Sequence, residues 1–162
     1  MKTPLIEAKN ITKKVNSPEG VLSIVNDITL SVDKGQTVAI VGPSGSGKTT
    51  LLAILAGLDL PTSGSVSLCG HEITSMDEDA RATIRGENVG FVFQSFHLLP
   101  KLSALDNVML PLEIQGEDDV QNKAIRALSR VGLEARIKHL PKQLSGGEKQ
   151  RVAIARAFVG TP

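Results

Sequence analysis

The stretch "GPSGSGKT", Gly42 to Thr49, packs three glycines, two serines, a lysine and a threonine into eight residues. It fits the pattern G-x-x-x-x-G-K-[ST] without departure. Glycines let the backbone curl so that successive N–H groups point inward at a phosphate, where Cβ atoms would stand in the way. A helix starting at the end of such a loop adds its dipole and its unpaired amides. Lys48 supplies positive charge for β- and γ-phosphates, and the Thr49 hydroxyl is placed to ligate Mg²⁺. The chemistry implied is the binding of a nucleoside triphosphate. A phosphate loop alone does not choose among kinases, GTPases, helicases and transport ATPases.

A second anion-holding device lies near the other end. "LSGGEKQR", Leu144 to Arg151, has a hydroxyl, two glycines and a helix start with an acid in its first turn. A helix cap explains Ser145 and Glu148, which stand at capping-box spacing. It leaves Gly146 and Gly147 without a purpose, because glycine weakens a helix start. A capped, glycine-rich helix start is also a preformed anion site.

These loops need strands and helices to hold them. "VLSIVNDITLSV" (21–32) reads as a strand and "DKG" (33–35) as a turn. "QTVAIV" (36–41) is a short apolar run that suits a strand buried on both faces. Leu51, Leu52, Ile54, Leu55 and Leu58 recur at helical spacing until "GLDLPTSG" stops them. "SVSLCG" (65–70) and "VGFVFQ" (89–94) read as two more strands. The second half is mostly helical. Val120, Ala124, Ile125, Leu128 and Val131 share one face, with Gly132 as a stop, and a last helix runs from Glu148 to Val159. Strands and helices alternate around a buried strand, so the class is α/β.

Composition narrows the function. A length of 162 residues suits one domain with its own core. A net charge of +1 gives no field to recruit nucleic acid or an anionic membrane. Four phenylalanines and no Tyr or Trp argue against stacking platforms for single strands. One cysteine, Cys69, excludes an internal disulfide and fits a reducing compartment. "LLAILAGL" (51–58) is too short to span a bilayer, so a cytosolic protein is expected. His71, His97 and His139 are isolated, without metal-ligand spacing.

A phosphate loop and "LSGGE" on one chain, with "FVFQ" between them, resemble the nucleotide-binding domain of ATP-binding cassette (ABC) transporters. The resemblance covers essentially the whole chain. "AILAGLDLPTSGSVSL", "GFVFQSFHLLP" and "LSALDNVMLPL" are most similar to the LolD/MacB/FtsE-type ATPases, and closest to the YbbA group.

The resemblance implies a P-loop ATPase core with an N-terminal antiparallel β subdomain and a helical subdomain at about 95–145. Gly42, Pro43, Ser44, Gly45, Ser46, Gly47, Lys48 and Thr49 would hold the phosphates of ATP, with Thr50 reaching the α-phosphate. Thr49 and Gln94 would ligate Mg²⁺, and Gln94 would also orient the attacking water. Leu144, Ser145, Gly146, Gly147 and Glu148 would form the signature loop. Within it, Ser145 and Gly147 would meet the γ-phosphate of ATP held by a second subunit. The partners implied are a second copy, in an ATP-sandwich homodimer, and an integral-membrane permease. That permease would dock partly on the helical stretch "FHLLPKLSALDNVMLPL" (96–112). The location implied is the cytoplasmic face of the inner membrane. The family's work is ATP hydrolysis coupled to export, lipoprotein release or mechanotransmission.

Two departures are visible. Where the family carries an aromatic residue against adenine, this sequence has Val15, which covers a base without the quadrupole of a ring. The family's catalytic Asp-Glu pair is expected beyond Pro162, so no catalytic base is assigned within the chain. Asp59, Asp77, Glu78, Asp106 and Glu113 have no motif that would place them at the site and read as surface or capping residues. A non-catalytic regulatory nucleotide-binding module is the alternative. A DNA-repair type is disfavoured because no long heptad run separates Lys48 from Ser145.

Overall fold

The computed structural model describes residues 4–18 and 20–160. The chain divides into two compact units, Met1–Arg85 and Gly86–Pro162.

The first unit is built on a four-stranded antiparallel sheet. Its strands are β1 (Ile6–Ser17), β2 (Gly20–Val32), β3 (Ser63–Leu68) and β4 (His71–Glu72), in the order β2-β1-β3-β4. β1 is long but mostly polar. Only Ala8 and Ile11 are fully buried along it, and the pairing with β2 shifts register between them. Asn10 and Asp27 take left-handed φ values of 50° and 51° at this irregularity. Their short polar side chains tolerate that conformation. Asn10 Nδ2 donates to Asp27 Oδ1 at 2.9 Å, and the Asp27 amide donates to Thr12 Oγ1 at 3.1 Å.

Helix α1 (Lys48–Leu55) buries Leu51, Ile54 and Leu55, the i, i+3, i+4 stripe that packs one helix face. The stripe belongs to a core with Ala8, Ile11, Val25, Val66, Leu68 and Ile73. Beyond the helix, Lys13 Nζ donates to Asp59 Oδ1 at 2.7 Å and to the Leu60 carbonyl at 2.6 Å. The Lys13 ammonium, with the Leu60 amide, holds the Asp59 carboxyl below its ordinary value. Helix α2 (Glu78–Asn88) follows, with Glu78 paired to both Arg81 and Arg85.

The second unit is a helical cluster of α3 (Ala104–Ile114), α4 (Val120–Arg130) and α5 (Gly146–Phe158). Val108, Leu112, Ala124, Leu128, Leu133 and Val152 lie at its centre, each at most 1% exposed. The expected α4 face is present except for Ile125, which is only half-buried and outside the cluster, its place taken by Ala127. Ala124 and Leu128 are buried, and Val120 and Val131 pack beside them. Gly132 closes the helix, its φ at 70°, with the Leu133 amide donating to the Leu128 carbonyl at 3.0 Å.

Three expectations fail. Residues 36–41 form no strand, and Val38 and Val41 stand 56% and 86% exposed. Residues 89–94 form none either. A buried strand exists only with neighbours to complete its ladder, and no described residues pair with these two runs. The helix expected over 96–112 begins only at Ala104. Ser103 caps it, accepting from the Asp106 amide at 3.1 Å, while Asp106 accepts from the Ser103 amide at 3.1 Å. Buried Asn107 then holds residues 99–103 as a turn. Its Oδ1 accepts from the Leu99 amide at 2.8 Å, and its Nδ2 donates to the Leu99, Leu102 and Ser103 carbonyls.

Candidate functional site

The first unit carries the glycine-rich loop Gly42 to Thr49. Gly42, Gly45 and Gly47 have φ of 156°, 79° and 83°. The loop is seated on β2 through Gly47. A Cβ there would lie 2.4 Å from the Ile24 carbonyl oxygen and 3.1 Å from Ile24 Cγ2. The position therefore admits only glycine, for conformation and for space together. Gly47 is also the N-cap of α1, without any side-chain cap, and the first turn of α1 has no acidic residue. The helix N-terminus is left with its dipole uncompensated, the condition an incoming anion satisfies.

Lys48 Nζ donates to the carbonyls of Gly42 at 3.0 Å and Pro43 at 2.5 Å, and reaches Ser46 Oγ at 3.4 Å. The ammonium is thus held over the loop, and no carboxylate among the described residues neutralises it. Thr49 is exposed at the start of α1, and Thr50 half-buried beside it. Charge, amides and hydroxyls fit a phosphate chain with its cation. Val15 is half-buried on β1, paired across the ladder with Leu22.

The second unit carries Gln94 and the glycine pair. Gln94 is exposed in a turn, where the Phe96 amide donates to the Phe93 carbonyl at 3.0 Å. The rings of Phe91 and Phe93 stack at 5.7 Å, and Phe93 meets the His97 ring at 4.7 Å. A groove of about 400 Å³ opens beside this turn, lined by Phe91, Phe93, His97, Leu110, Ile114 and Arg156 among others.

Ser145 is the N-cap of α5, which begins at Gly146, two residues earlier than expected. Its Oγ accepts from the Glu148 amide at 3.2 Å, and Glu148 Oε2 accepts from the Ser145 amide at 2.8 Å. Arg136 Nε donates to Glu148 Oε1 at 2.9 Å. The Ser145 amide, the Arg136 guanidinium and the Ser145 hydroxyl together lower the Glu148 carboxyl to about 2. Glu148 is therefore a cap and an ion-pair partner, fully ionised at neutral pH. Leu144 is buried as an anchor in the helical core.

The two glycines are not required from within. A Cβ on Gly146 would meet nothing within 4 Å, and one on Gly147 only Arg151 Nη1 at 3.8 Å. Neither has a positive φ. Both sit at a helix start where alanine would serve the fold better.

Each carboxylate singled out in the sequence, except Glu113, has a structural partner. Asp59 holds Lys13, Asp77 accepts from the Ala80 amide, Glu78 pairs with arginines and Asp106 caps α3. His71 lies exposed on β4, His97 stacks on Phe93, and the His139 carbonyl accepts from the Ala104 amide. Ile24, Arg136 and Arg156 matter to these loops, yet nothing in their spacing marked them. Ile24 acts through its backbone, and the arginines reach across sequence gaps of 12 and about 60 residues.

Comparison with known proteins follows the same lines. The family model described as ABC transporter matches residues 25–162. The uncharacterised ABC transporter ATP-binding protein YbbA of Escherichia coli (strain K12) is 54% identical over 160 residues, 98% of this chain and 70% of that protein. The lipoprotein-releasing system ATP-binding protein LolD of Alcanivorax borkumensis is 46% identical, over 99% of this chain and 71% of its own length. Among solved structures, the dimeric form of a bacterial ABC transporter cassette superposes with a TM-score of 0.91 at 40% identity. The match covers 97% of this chain and 70% of that one. A dimeric post-hydrolysis state of the cassette, bound to ADP and Pi, matches equally well.

Proposed function

The chain belongs to the ABC transporter family as an ATP-binding domain with an α/β P-loop core, and from that premise we propose how its two loops divide the work. Gly42 to Thr50 hold the phosphates of one ATP, with Thr49 and Gln94 on its Mg²⁺. Ser145 and the two glycines meet the γ-phosphate of a second ATP, carried by another copy. The observation that carries this division is the glycine pair, which costs helix stability and answers no contact inside the chain. A ligand approaching from outside supplies the missing reason.

The dimeric cassettes similar to this chain support a two-fold ATP sandwich. The groove beside Gln94, mostly apolar with Arg156, His97 and Gln115 as its polar lining, suits a short helix of an integral-membrane permease on the cytoplasmic face of the inner membrane. In the subfamily sense, the process is export, lipoprotein release or mechanotransmission driven by ATP.

The same observations support a limit. Asp59, Asp77, Glu78, Asp106 and Glu148 are all engaged in capping or ion pairs, and Glu113 stands in no motif that would place it at the site as a general base. The 162-residue chain binds ATP and hydrolyses it negligibly. Sedimentation velocity with and without MgATP tests the division of work. ATP-dependent dimers that disappear in Ser145→Ala and in Gly147→Asp are expected. Dimers indifferent to both substitutions would overturn it.

A further inference from the structure

The helix that begins with the glycine pair reaches the Gln94 turn through one side chain. Arg156, half-buried on α5, donates from Nη1 to the His97 carbonyl at 2.7 Å and from Nη2 to the Phe96 carbonyl at 2.8 Å. These carbonyls belong to consecutive non-glycine residues with left-handed backbones, φ 62° and 47°. That conformation is disfavoured for L-residues, and for a bulky phenylalanine especially. Such a pair persists only where the surroundings over-determine it. The planar fork of a guanidinium does so, giving one N–H to each of two converging carbonyls. A lysine, as a point charge, lacks the fork.

The other end of the turn is tied as well. The Phe93 and His97 rings meet at 4.7 Å, the Phe96 amide donates to Phe93, and the His97 amide donates to the Ser95 carbonyl at 2.7 Å. Gln94 and Ser95 are thus the exposed tip of a loop whose flanks are fixed. Its only charged tether among the described residues comes from the signature helix.

We propose that Arg156 is a positioning residue that fixes the Gln94 turn in the shape presenting its amide to the Mg²⁺–nucleotide. The proposal rests on the reading that Gln94 serves the Mg²⁺ of bound ATP.

The test uses the whole 162-residue chain as wild type, Arg156→Lys, Arg156→Gln and Gln94→Ala. Affinity for ATP is measured with excess Mg²⁺ and with excess EDTA, and amide exchange is followed at Phe96, His97, Val152 and Ala155. The Mg²⁺-dependent gain in affinity should fall about tenfold in Gln94→Ala and Arg156→Gln, and part of the way in Arg156→Lys. For the arginine variants, affinity in EDTA should stay at the wild-type value. Exchange at Phe96 and His97 should quicken about tenfold while Val152 and Ala155 hold. If Gln94→Ala loses the gain and both arginine variants keep it, the clamp is overturned and the reading of Gln94 stands. If Gln94→Ala keeps the gain, that reading falls and takes the proposal with it. Exchange rising equally along α5 would make Arg156 a plain structural pin, also overturning it. Should Arg156→Gln fail to fold, Arg156→Lys decides by the same two readouts.

Discussion

The Cβ that any other residue would carry at position 47 falls 2.4 Å from the Ile24 carbonyl oxygen. The phosphate loop is thereby pressed against the backbone of β2, and its curvature is set by the sheet as well as by its own sequence. Gly47→Ala should cost at least about 1–2 kcal/mol from the left-handed backbone alone, before the clash with Ile24 is counted. Urea unfolding would show this as a lower midpoint, and ATP binding should weaken with it. A variant as stable as wild type would mean that the loop moves freely over β2.

Gly146 poses the opposite case. Nothing lies within 4 Å of an added Cβ, and the backbone is not left-handed. Gly146→Ala should leave the fold unharmed or stabilise it by up to about 1 kcal/mol, while abolishing MgATP-dependent dimerisation. Thermal melting beside sedimentation separates the two effects. A variant that loses stability and keeps dimerising would assign the glycine to the fold instead.

Glu148 links stability to acid. Its folded carboxyl lies at about 2, below the ordinary 4.5, so its contribution is fully present above about pH 4.5 and drains away as pH falls toward 2. Asp59, Glu78 and Glu134 are lowered too and pull in the same direction. The share due to Glu148 is isolated by Glu148→Gln. The difference in unfolding free energy between wild type and variant should shrink as pH drops from 5 to 2. A constant difference across that range would show that the carboxylate charge is not what caps α5.

Val41 is 86% exposed at the end of a run that reads as a buried strand. Unpaired apolar runs invite association. Val41→Thr should cost less than about 0.5 kcal/mol and raise the concentration at which light scattering appears. A clear loss of stability would mean that Val41 is packed after all.

Hydrolysis is a separate matter from binding. Phosphate release by the 162-residue chain should not exceed that of Lys48→Ala. Turnover abolished by Lys48→Ala would show that a carboxylate of this chain does serve as a base.

What the sequence disclosed depends on how local each feature is. The glycine-rich turn before α1, the "LSGGE" cap and most of the α4 face are legible because each is written in neighbouring residues or at one helical period. β1 is not. Its register shift between Ala8 and Ile11 breaks the alternation that marks a strand, and its remaining residues are largely polar. α2 escaped for a related reason: Arg81 is the only residue it buries, so no apolar stripe announces it. The runs 36–41 and 89–94 were read as strands from their own apolarity, but pairing is a property of two segments. The eight residues from Phe96 to Ser103 read as helical, but Asn107 gives the backbone of Leu99, Leu102 and Ser103 other partners.

In the proposed function, the loop from Gly42 to Thr50 binds ATP through Lys48 and the uncapped start of α1. Isothermal titration of the chain with MgATP tests it most directly. Saturable 1:1 binding is predicted, weakened by about tenfold or more in Lys48→Ala, with Ser145→Ala unchanged at concentrations too low for dimers. Binding of equal strength in wild type and Lys48→Ala, or no binding at all, would contradict the account.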